Sequence, residues 1–588
     1  MKLLKSVWCK LGGISKAVVR FPIVFLALVT LTTINAVSIE NEHDFSKQLF
    51  SLVFAVFCFI VASVLSEHFG KTFVTKIIFD LVAAFVSIAY YLMILSSNHI
   101  TTSIRVKTIV AIFALFISFI WIPSIEAKVN FNAVFMSVFK AIFTSAFYSA
   151  IIWGGISLII AAIDALLINV NENAYSHTAN IVWVVWAPML FLSLIPLFSG
   201  NEIDDERVKK ASSCPRFLEV LLSYVLVPLA AVYTIVLLLY IVKTIYTSNW
   251  NDNLLEPLIL SYCIAVLLLY ILLSDLKNRF ATIFRKVFPK LLVPIALFQI
   301  VSSAIIVYSE GIVHSRYFVL MFGLYSVICG ILLSILPPQK NGIIAVLAIA
   351  FALVCIIPKI DAFSVSYASQ RALVQNTLEK NNMLNDNIIT PNSNISDDDK
   401  IKITKAVSYF ESVNELKRLE FLPQNFETYK DFKDTFGFET SNVYVPNDQV
   451  SKSYTLDSSQ PMEIGSYDYL SHINLQMPSE IANQEYGSVT KDGEQYSLLL
   501  NVNDNDGAIM IVDSNNNEII SVPLETLFDS IYNIDSASIK GEVSADKMTF
   551  DCDNSAAKLR VVFQNVSIYD SGSKINRYAD AYILFTIK

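Results

Sequence analysis

Lipid as a solvent is the strongest constraint on this chain, because between residues 21 and 358 it returns repeatedly to apolar runs long enough to cross hydrocarbon. A helix needs about 20 apolar residues to span a core of roughly 30 Å, and only a helix or a closed barrel satisfies its own backbone there. Runs of this kind lie at residues 21–38, 48–65, 77–95, 108–123, 138–168, 181–198, 217–246, 257–274, 289–308, 317–336 and 342–358. The expectation is a membrane all-α helical bundle of about 11 transmembrane helices. The fourth run is the weakest, being short and closed by Trp121, Ile122 and Pro123. Composition agrees, since 54% of residues are hydrophobic and 16% charged, against about a quarter charged in soluble domains.

Cationic loops resist translocation, so their distribution orients the spans. Five basic residues, Lys2, Lys5, Lys10, Lys16 and Arg20, precede the first run, and the even-numbered loops add 14 more, among them Lys209, Lys210, Arg279 and Arg285. The other side holds six: Lys47, Arg105, Lys107, Lys243, Arg316 and Lys359. The expectation is a multi-pass cell-membrane protein with a cytoplasmic N-terminus and, after an odd number of spans, an extracytoplasmic C-terminal domain. The basic lead before residue 21 imitates a signal peptide, but its apolar run is of full span length and reads as a retained helix.

Composition changes abruptly near Ile360. Lys and Arg number 25 before it and 18 after, while Asp and Glu number 17 and 34, so the two parts carry +8 and −16. The acidic tail would be repelled by nucleic acid, which is excluded as a partner. Lipid bilayer is the expected partner of the first part, with other envelope or membrane proteins as candidate partners. Cys552 is the one cysteine of the tail, so no disulfide can form within it. The tail divides by pattern into a helical juxtamembrane segment over 361–450 and a β-rich domain over 451–588, beyond a transmembrane domain over 1–360. Residues 363–385 read as an amphipathic helix, and 397–420 as a second, opened by a capping box of Ser396 with Asp399. Alternating apolar residues then mark strands at Tyr496–Val502, Ala508–Val512, Ile519–Val522, Leu559–Phe563 and Tyr582–Ile587. An α+β domain with a mainly antiparallel sheet is expected.

Ionisable residues inside hydrocarbon are functional suspects by default. Asp80 and Asp164 are the two candidate intramembrane functional residues; each lies near a span end, where it can reach the interface. Gly154, Gly155, Pro188, Pro196, Pro228 and Pro294 are candidate helix breaks of the sort transporters use around midplane sites, with Asn35, Tyr148, Ser149, Gln299, Ser302 and Ser303 as possible polar lining. Close helix packing is the plainer reading of the glycines. The loop Asp275–Lys290 sets Phe280, Ile283, Phe284 and Val287 among basic residues, as an interfacial helix would. Asp504, Asp506 and Gly507 suggest a calcium loop, but Val502 stands where its first ligand would be, so a β-turn is preferred. Nucleotide-binding, metalloprotease and serine-hydrolase motifs are absent, and the six histidines share no metal spacing. No catalytic residue, cofactor or metal is assigned.

The first span opens with Arg20, Phe21 and Pro22 before a long apolar run (RFPIVFLALVTLTTI). Phe363–Asn381 follows the last span with Ser366, Gln370 and Leu378, and Ile464–Leu470 (IGSYDYL) lies in the tail. In these segments the chain resembles the bacterial domain-of-unknown-function family 4153. The resemblance, taken across essentially the whole chain, implies a multi-span membrane protein and carries over no catalytic residue. The resulting expectation is a non-enzymatic protein of envelope sensing, assembly or complex formation. A secondary transporter or lipid or solute permease is the alternative, and an extracytoplasmic enzyme stands third.

Overall fold

A computed structural model describes residues 13–41, 44–70, 72–97, 99–125, 129–198, 202–247, 255–423, 425–440, 450–457, 464–477, 483–502, 507–532, 542–570 and 575–588. The chain forms two compact units, Met1–Phe436 and Gly437–Lys588. The division falls well after residue 360, because the helices that follow the last span pack with the bundle.

The bundle runs through α1 (Pro22–Asn41), α2 (Ser46–Phe69), α3 (Phe73–Leu95), α4 (Thr102–Trp121), α5 (Phe131–Leu166) and α6 (Asn173–Leu194). A polar helix α7 (Glu202–Ser212) leads to α8, which begins at Arg216 and ends at Thr247. Then come α9 (Leu255–Leu273), α10 (Arg279–Glu310), α11 (His314–Ile335) and α12 (Gly342–Val354). Side-chain caps start several of these helices. Thr101 accepts from Ile104 N–H, Asn130 from Ala133 N–H and Asn278 from Ala281 N–H, each satisfying a donor that the first turn leaves unpaired.

Ten helices among the described residues are long and apolar enough to cross a membrane, and α12, at 13 residues, is shorter. Its ends nevertheless lie at opposite ends of the bundle. Asn341, just before it, donates to Asn132 Oδ1 (2.8 Å) at the start of α5 and to Ser274 Oγ (2.9 Å) after α9. Past its other end, Ile360 O accepts from Tyr317 Oη (2.7 Å) at the start of α11. The eleventh apolar run thus traverses the bundle, its helix lengthened by a 3₁₀ turn before it and tight turns over residues 355–361.

Prolines shape two helices. α6 holds a π-helical turn at Ile181–Trp186 just before Pro188, and α8 another at Leu221–Leu226 just before Pro228. A proline supplies no N–H and crowds the carbonyl one turn back, and a wider turn relieves that clash. Pro289 and Pro294, by contrast, sit inside the continuous α10. Gly154 and Gly155 neither break α5 nor mark close packing, since a Cβ on either would meet nothing within 4 Å. The close approach lies between α10 and α11, where a Cβ on Gly330 would come within 2.9 Å of Pro289 O and one on Gly323 within 2.9 Å of Ile300 Cγ1. The Asp275–Lys290 segment is not a separate interfacial helix. It is largely the first turns of α10, with Phe284 and Phe288 buried in the core beside Tyr270 and Leu273, and Phe280, Ile283 and Val287 exposed.

After the bundle, α13 (Ala362–Lys380), a short hairpin of β1 (Leu384–Asn385) and β2 (Ile388–Ile389), α14 (Asp397–Ser412) and α15 (Thr428–Phe436) complete the first unit. Both long helices stop sooner than periodicity predicts. Asn382 (φ 54°) and Asn414 (φ 57°) adopt the left-handed conformation. The next N–H in each case reaches back five residues, Met383 to Leu378 O and Glu415 to Phe410 O, both 2.8 Å, which closes the helix end. Ser396 does cap α14, accepting from Asp399 N–H, but the Asp399 carboxylate does not complete a capping box. It pairs instead with Lys380 Nζ (2.9 Å) at the end of α13 and Asn381 Nδ2 (3.1 Å) just after it.

The second unit contains β3 (Val450–Leu456), β4 (Tyr469–Met477), β5 (Asn483–Lys491), β6 (Glu494–Val502), β7 (Gly507–Asp513), β8 (Glu518–Pro523), α16 (Leu524–Tyr532), β9 (Glu542–Val543), β10 (Thr549–Asp553), β11 (Ala557–Asp570) and β12 (Ile575–Ile587). One sheet runs β4-β12-β11-β3-β9 with β10 also on β11, and the other runs β5-β6-β7-β8. All pairings are antiparallel except β3 with β9. Inward residues of both sheets and of α16 share one core, with Phe528, Phe563, Leu559, Ile583 and Ile511 fully buried. The turn after β7 is fixed by Asp513 Oδ1, which accepts from Asn515 and Asn517 N–H, both 2.8 Å. Asp504 and Asp506 of the calcium-loop motif lie outside the described residues.

Candidate functional site

A cavity with a polar lining lies in the second unit. It is a cleft of about 470 Å³ bordered by β4, β5, β6, β11 and β12. Its floor follows from strand register, since side chains directly opposite across a ladder share a face. Asn474 (β4), Asp580 (β12), Asn565 (β11) and Thr455 (β3) form one row, and Gln476, Tyr578, Ser567 and Ser453 the next. Tyr486 and Gln484 of β5 form a wall, with the Tyr486 hydroxyl donating to Asn474 O at 2.7 Å. Among the described residues four amides, three hydroxyls and one carboxylate line the cleft, and no Lys, Arg or His does.

Two β-bulges build it. In β11 the register slips between Phe563 and Asn565, leaving Gln564 as the extra residue. Leu559, Val561 and Phe563 point into the core before the slip, and Val566 and Ile568 after it. Without the extra residue, Asn565 and Ser567 would point inward; the bulge turns them onto the cleft floor. β5 carries a second slip between Glu485 and Ser488, where Gly487 has φ 136°, a conformation that only glycine adopts without strain. Tyr486, on the cleft wall, lies within that irregularity.

The bundle brings together part of the predicted polar set. Gln299 Nε2 donates to Ser303 Oγ (3.1 Å), and Ser303 Oγ donates to Glu256 Oε1 (2.7 Å) near the start of α9. Gln299 is buried and its Oε1 has no hydrogen-bond partner among the described residues. Asn35 belongs elsewhere, donating to Asn180 Oδ1 (2.9 Å) between α1 and α6. Ser149 is buried on α5 without a hydrogen-bond partner among the described residues. Asp164 is exposed, and its Oδ1 accepts from Val170 N–H (2.7 Å), so it ties down the turn after α5. Asp80 is half-buried on α3, one turn from Lys76. Neither aspartate joins the Glu256 chain. Sequence reading passed over Glu256 because the apolar run begins one residue later, and over the cleft because its residues are ordinary polar positions of strands. The usable signal was the phase change in LRVVFQNVSI, where inward positions go from odd to even at Gln564.

The conspicuous sequence segments turn out to hold the bundle together. Arg20 binds Glu67 through Nε–Oε1 (2.6 Å) and Nη2–Oε2 (2.8 Å) and reaches Ile195 O (2.6 Å), joining α1, α2 and α6. Phe21 is fully buried and Pro22 opens α1, where a missing N–H costs nothing. Gln370 donates to Glu310 O (3.0 Å) and Ile312 O (3.2 Å) around Gly311, whose φ is 73°. A Cβ at Gly311 would lie 2.8 Å from Gln370 Nε2. Lys405 pairs with Glu310 at 2.6 Å, and His314 stacks on Phe363 at 4.6 Å. The helices after the last span are thereby seated on one end of the bundle. Among the described residues no group of three or more His, Cys, Asp or Glu is placed to hold a metal ion.

Compared with known proteins, the chain matches the family model described as domain of unknown function (DUF4153) over residues 21–389. No curated protein and no solved structure matches it. The matched span takes in the bundle, α13 and the small hairpin; Ile464–Leu470 and the cleft domain lie beyond it. With well over half of its 588 residues covered, the chain belongs to the DUF4153 family of uncharacterised function.

Proposed function

We propose that this protein is a membrane-anchored recognition protein. In this reading the bundle sits in the cell membrane with its basic end in the cytoplasm, and the β-rich unit offers its cleft on the other side of the membrane for envelope sensing, assembly or as a subunit of a complex. The observation that carries the reading is the cleft, a bulge-shaped pocket of about 470 Å³ with an amide- and hydroxyl-rich lining. Such a lining matches a neutral, hydroxyl-rich ligand such as a saccharide: amides bridge adjacent hydroxyls, and tyrosine offers a flat apolar face beside a polar tip. Among the described residues of the lining, an anionic ligand would meet Asp580 and no cation. A non-catalytic role fits, because the described residues of the lining include a single carboxylate and no base beside a nucleophile.

The test is a titration of residues 437–588 with neutral oligosaccharides, followed by NMR. Shifts should cluster at Asn474, Asn565 and Tyr578, and Asn565→Ala should weaken binding about tenfold, the equivalent of roughly one to two hydrogen bonds. Shifts spread outside the cleft, or no binding by any member of the panel, would contradict the proposal. A transporter is the second reading, favoured by the Glu256–Ser303–Gln299 chain, in which a half-buried carboxylate near the start of α9 is tied to buried Ser303 and Gln299, since ionisable groups tied into a bundle commonly mark ion paths. It requires that Glu256→Gln abolish a proton- or cation-linked flux while the protein remains folded.

A further inference from the structure

A second binding site lies on the outside of the bundle. Between α4, α11 and α12 runs a groove of about 150 Å³ with an almost wholly apolar lining. Val110 and Phe113 form one side, Phe318 and Phe322 the other, and Ala352 and Cys355 the floor. The alanine leaves the depth, since α12 offers only a methyl group there. The one hydroxyl on the lining, that of Tyr325, donates to Ile344 O (3.3 Å). Phe113 is 47% exposed, so the groove opens sideways to whatever surrounds the helices.

One end of the groove is cationic. The Cys355 carbonyl accepts from Ala362 N–H (3.3 Å), which folds the turn over 355–361 back across the end of α12 and sets Asp361 beside α4. Asp361, with a fully buried side chain, holds Lys107 Nζ at 2.9 Å. Lys107 remains 32% exposed and has N–H groups beyond the one directed at Asp361. By helical periodicity Val106, Val110, Phe113 and Ile117 form one stripe of α4, and Arg105 and Lys107 flank its first member. Arg105 and Lys359 are exposed and make no ion pair among the described residues. Arg105 and Lys107 on the first turns of α4 and Lys359 in the turn over 355–361 thus belong to the two segments that the Asp361–Lys107 pair joins at this end.

We propose that this groove binds one acyl chain of an anionic phospholipid, with the headgroup phosphate over Lys107, Arg105 and Lys359. The apolar length requires hydrocarbon, and the cationic end selects the charge of the headgroup. A zwitterionic lipid would fill the same groove without that selection. Each nearby Lys or Arg favours an anionic lipid by about fivefold.

The test uses the full chain purified in detergent and exposed to an equimolar mixture of dioleoyl phosphatidylglycerol and dioleoyl phosphatidylcholine, with bound lipid counted by native mass spectrometry. Wild type should retain phosphatidylglycerol by at least about fivefold over phosphatidylcholine. The double variant R105Q/K359Q, altered only at exposed positions, should bring the ratio below about twofold, and Ala352→Phe should lower retention of both lipids by closing the groove. Lys243→Gln, an exposed charge near the end of α8, should leave the ratio unchanged. Equal retention of the two lipids by wild type, or a ratio unaltered in R105Q/K359Q, or one lowered equally by Lys243→Gln, would overturn the assignment.

Discussion

Replacing Asp361 with alanine will loosen the helices that follow the last span from the bundle, at a cost of about 2–3 kcal/mol, from the lost helix cap and the lost charge-assisted hydrogen bond to a Lys107 that water still reaches. The carboxylate is completely buried, meets Lys107 at 2.9 Å, and caps α13 by accepting from Phe363 and Ser364 N–H, both 3.1 Å. Loss of the cap contributes about 1 kcal/mol of that total. The measurement is thermal unfolding of the purified chain in detergent, together with thiol accessibility of a cysteine placed at Ser366, a buried position on α13. Asp361→Asn should cost less, because the amide oxygen can still cap the helix. An unchanged melt for Asp361→Ala would show that the pair does not hold the helices in place.

The same site predicts a response to acid. Burial by itself would raise the Asp361 carboxyl, but the Ser364 hydroxyl, the Lys107 ammonium and the Ser364 backbone N–H together hold it below its ordinary value. Asp399 behaves alike: burial works against Lys380, Asn381 and Ser396, and the hydrogen bonds prevail. A carboxyl lowered by folding binds fewer protons folded than unfolded near its titration range, so its stabilisation is complete above the unfolded value of about 4 and fades as pH falls through the lowered folded value. The helices over 361–436 should therefore stay seated from neutrality to about pH 4 and loosen below it.

The second large effect belongs to the cleft domain. Phe563 is fully buried, with Phe528 at 5.8 Å and Phe550 at 5.9 Å between ring centroids, and it is the last inward residue before the bulge that turns Asn565 outward. Phe563→Ala should destabilise the unit by about 3–5 kcal/mol, much of the roughly 5–15 kcal/mol available to a domain of this size. Urea denaturation of residues 437–588 measures it. A loss below about 1 kcal/mol would mean that the core collapses to fill the space and that the bulge does not depend on this ring.

What could be read from the sequence divides along physical lines. Spans were legible because lipid permits a single solution for a long apolar run, and even the short α12 kept its apolar signature. Strand positions were legible from alternation, though β11 and β12 run well beyond the expected Leu559–Phe563 and Tyr582–Ile587, since their polar-faced halves look like loop. Helix ends were misjudged at Asn382 and Asn414, where a single left-handed residue overrides periodicity. The Gly154–Gly155 pair misled because small size permits close packing without requiring it, whereas Gly323 and Gly330, unremarked in sequence, sit where a neighbour leaves no room. The cleft left one trace in the sequence, the phase change at Gln564, because the rest of its lining comes from separate strands and meets only through register.

The central proposal is that the cleft domain and the basic end of the bundle lie on opposite sides of one membrane. The direct measurement is labelling of intact cells with an impermeant maleimide, in a background with Cys9, Cys214 and Cys552 changed to serine. Single cysteines are placed at Ser488, exposed on β5, and at Ser213, exposed between α7 and α8. The account predicts that Ser488→Cys is labelled from outside and that Ser213→Cys is labelled only after the cells are opened. Labelling of Ser213→Cys in intact cells, with Ser488→Cys protected, would contradict it.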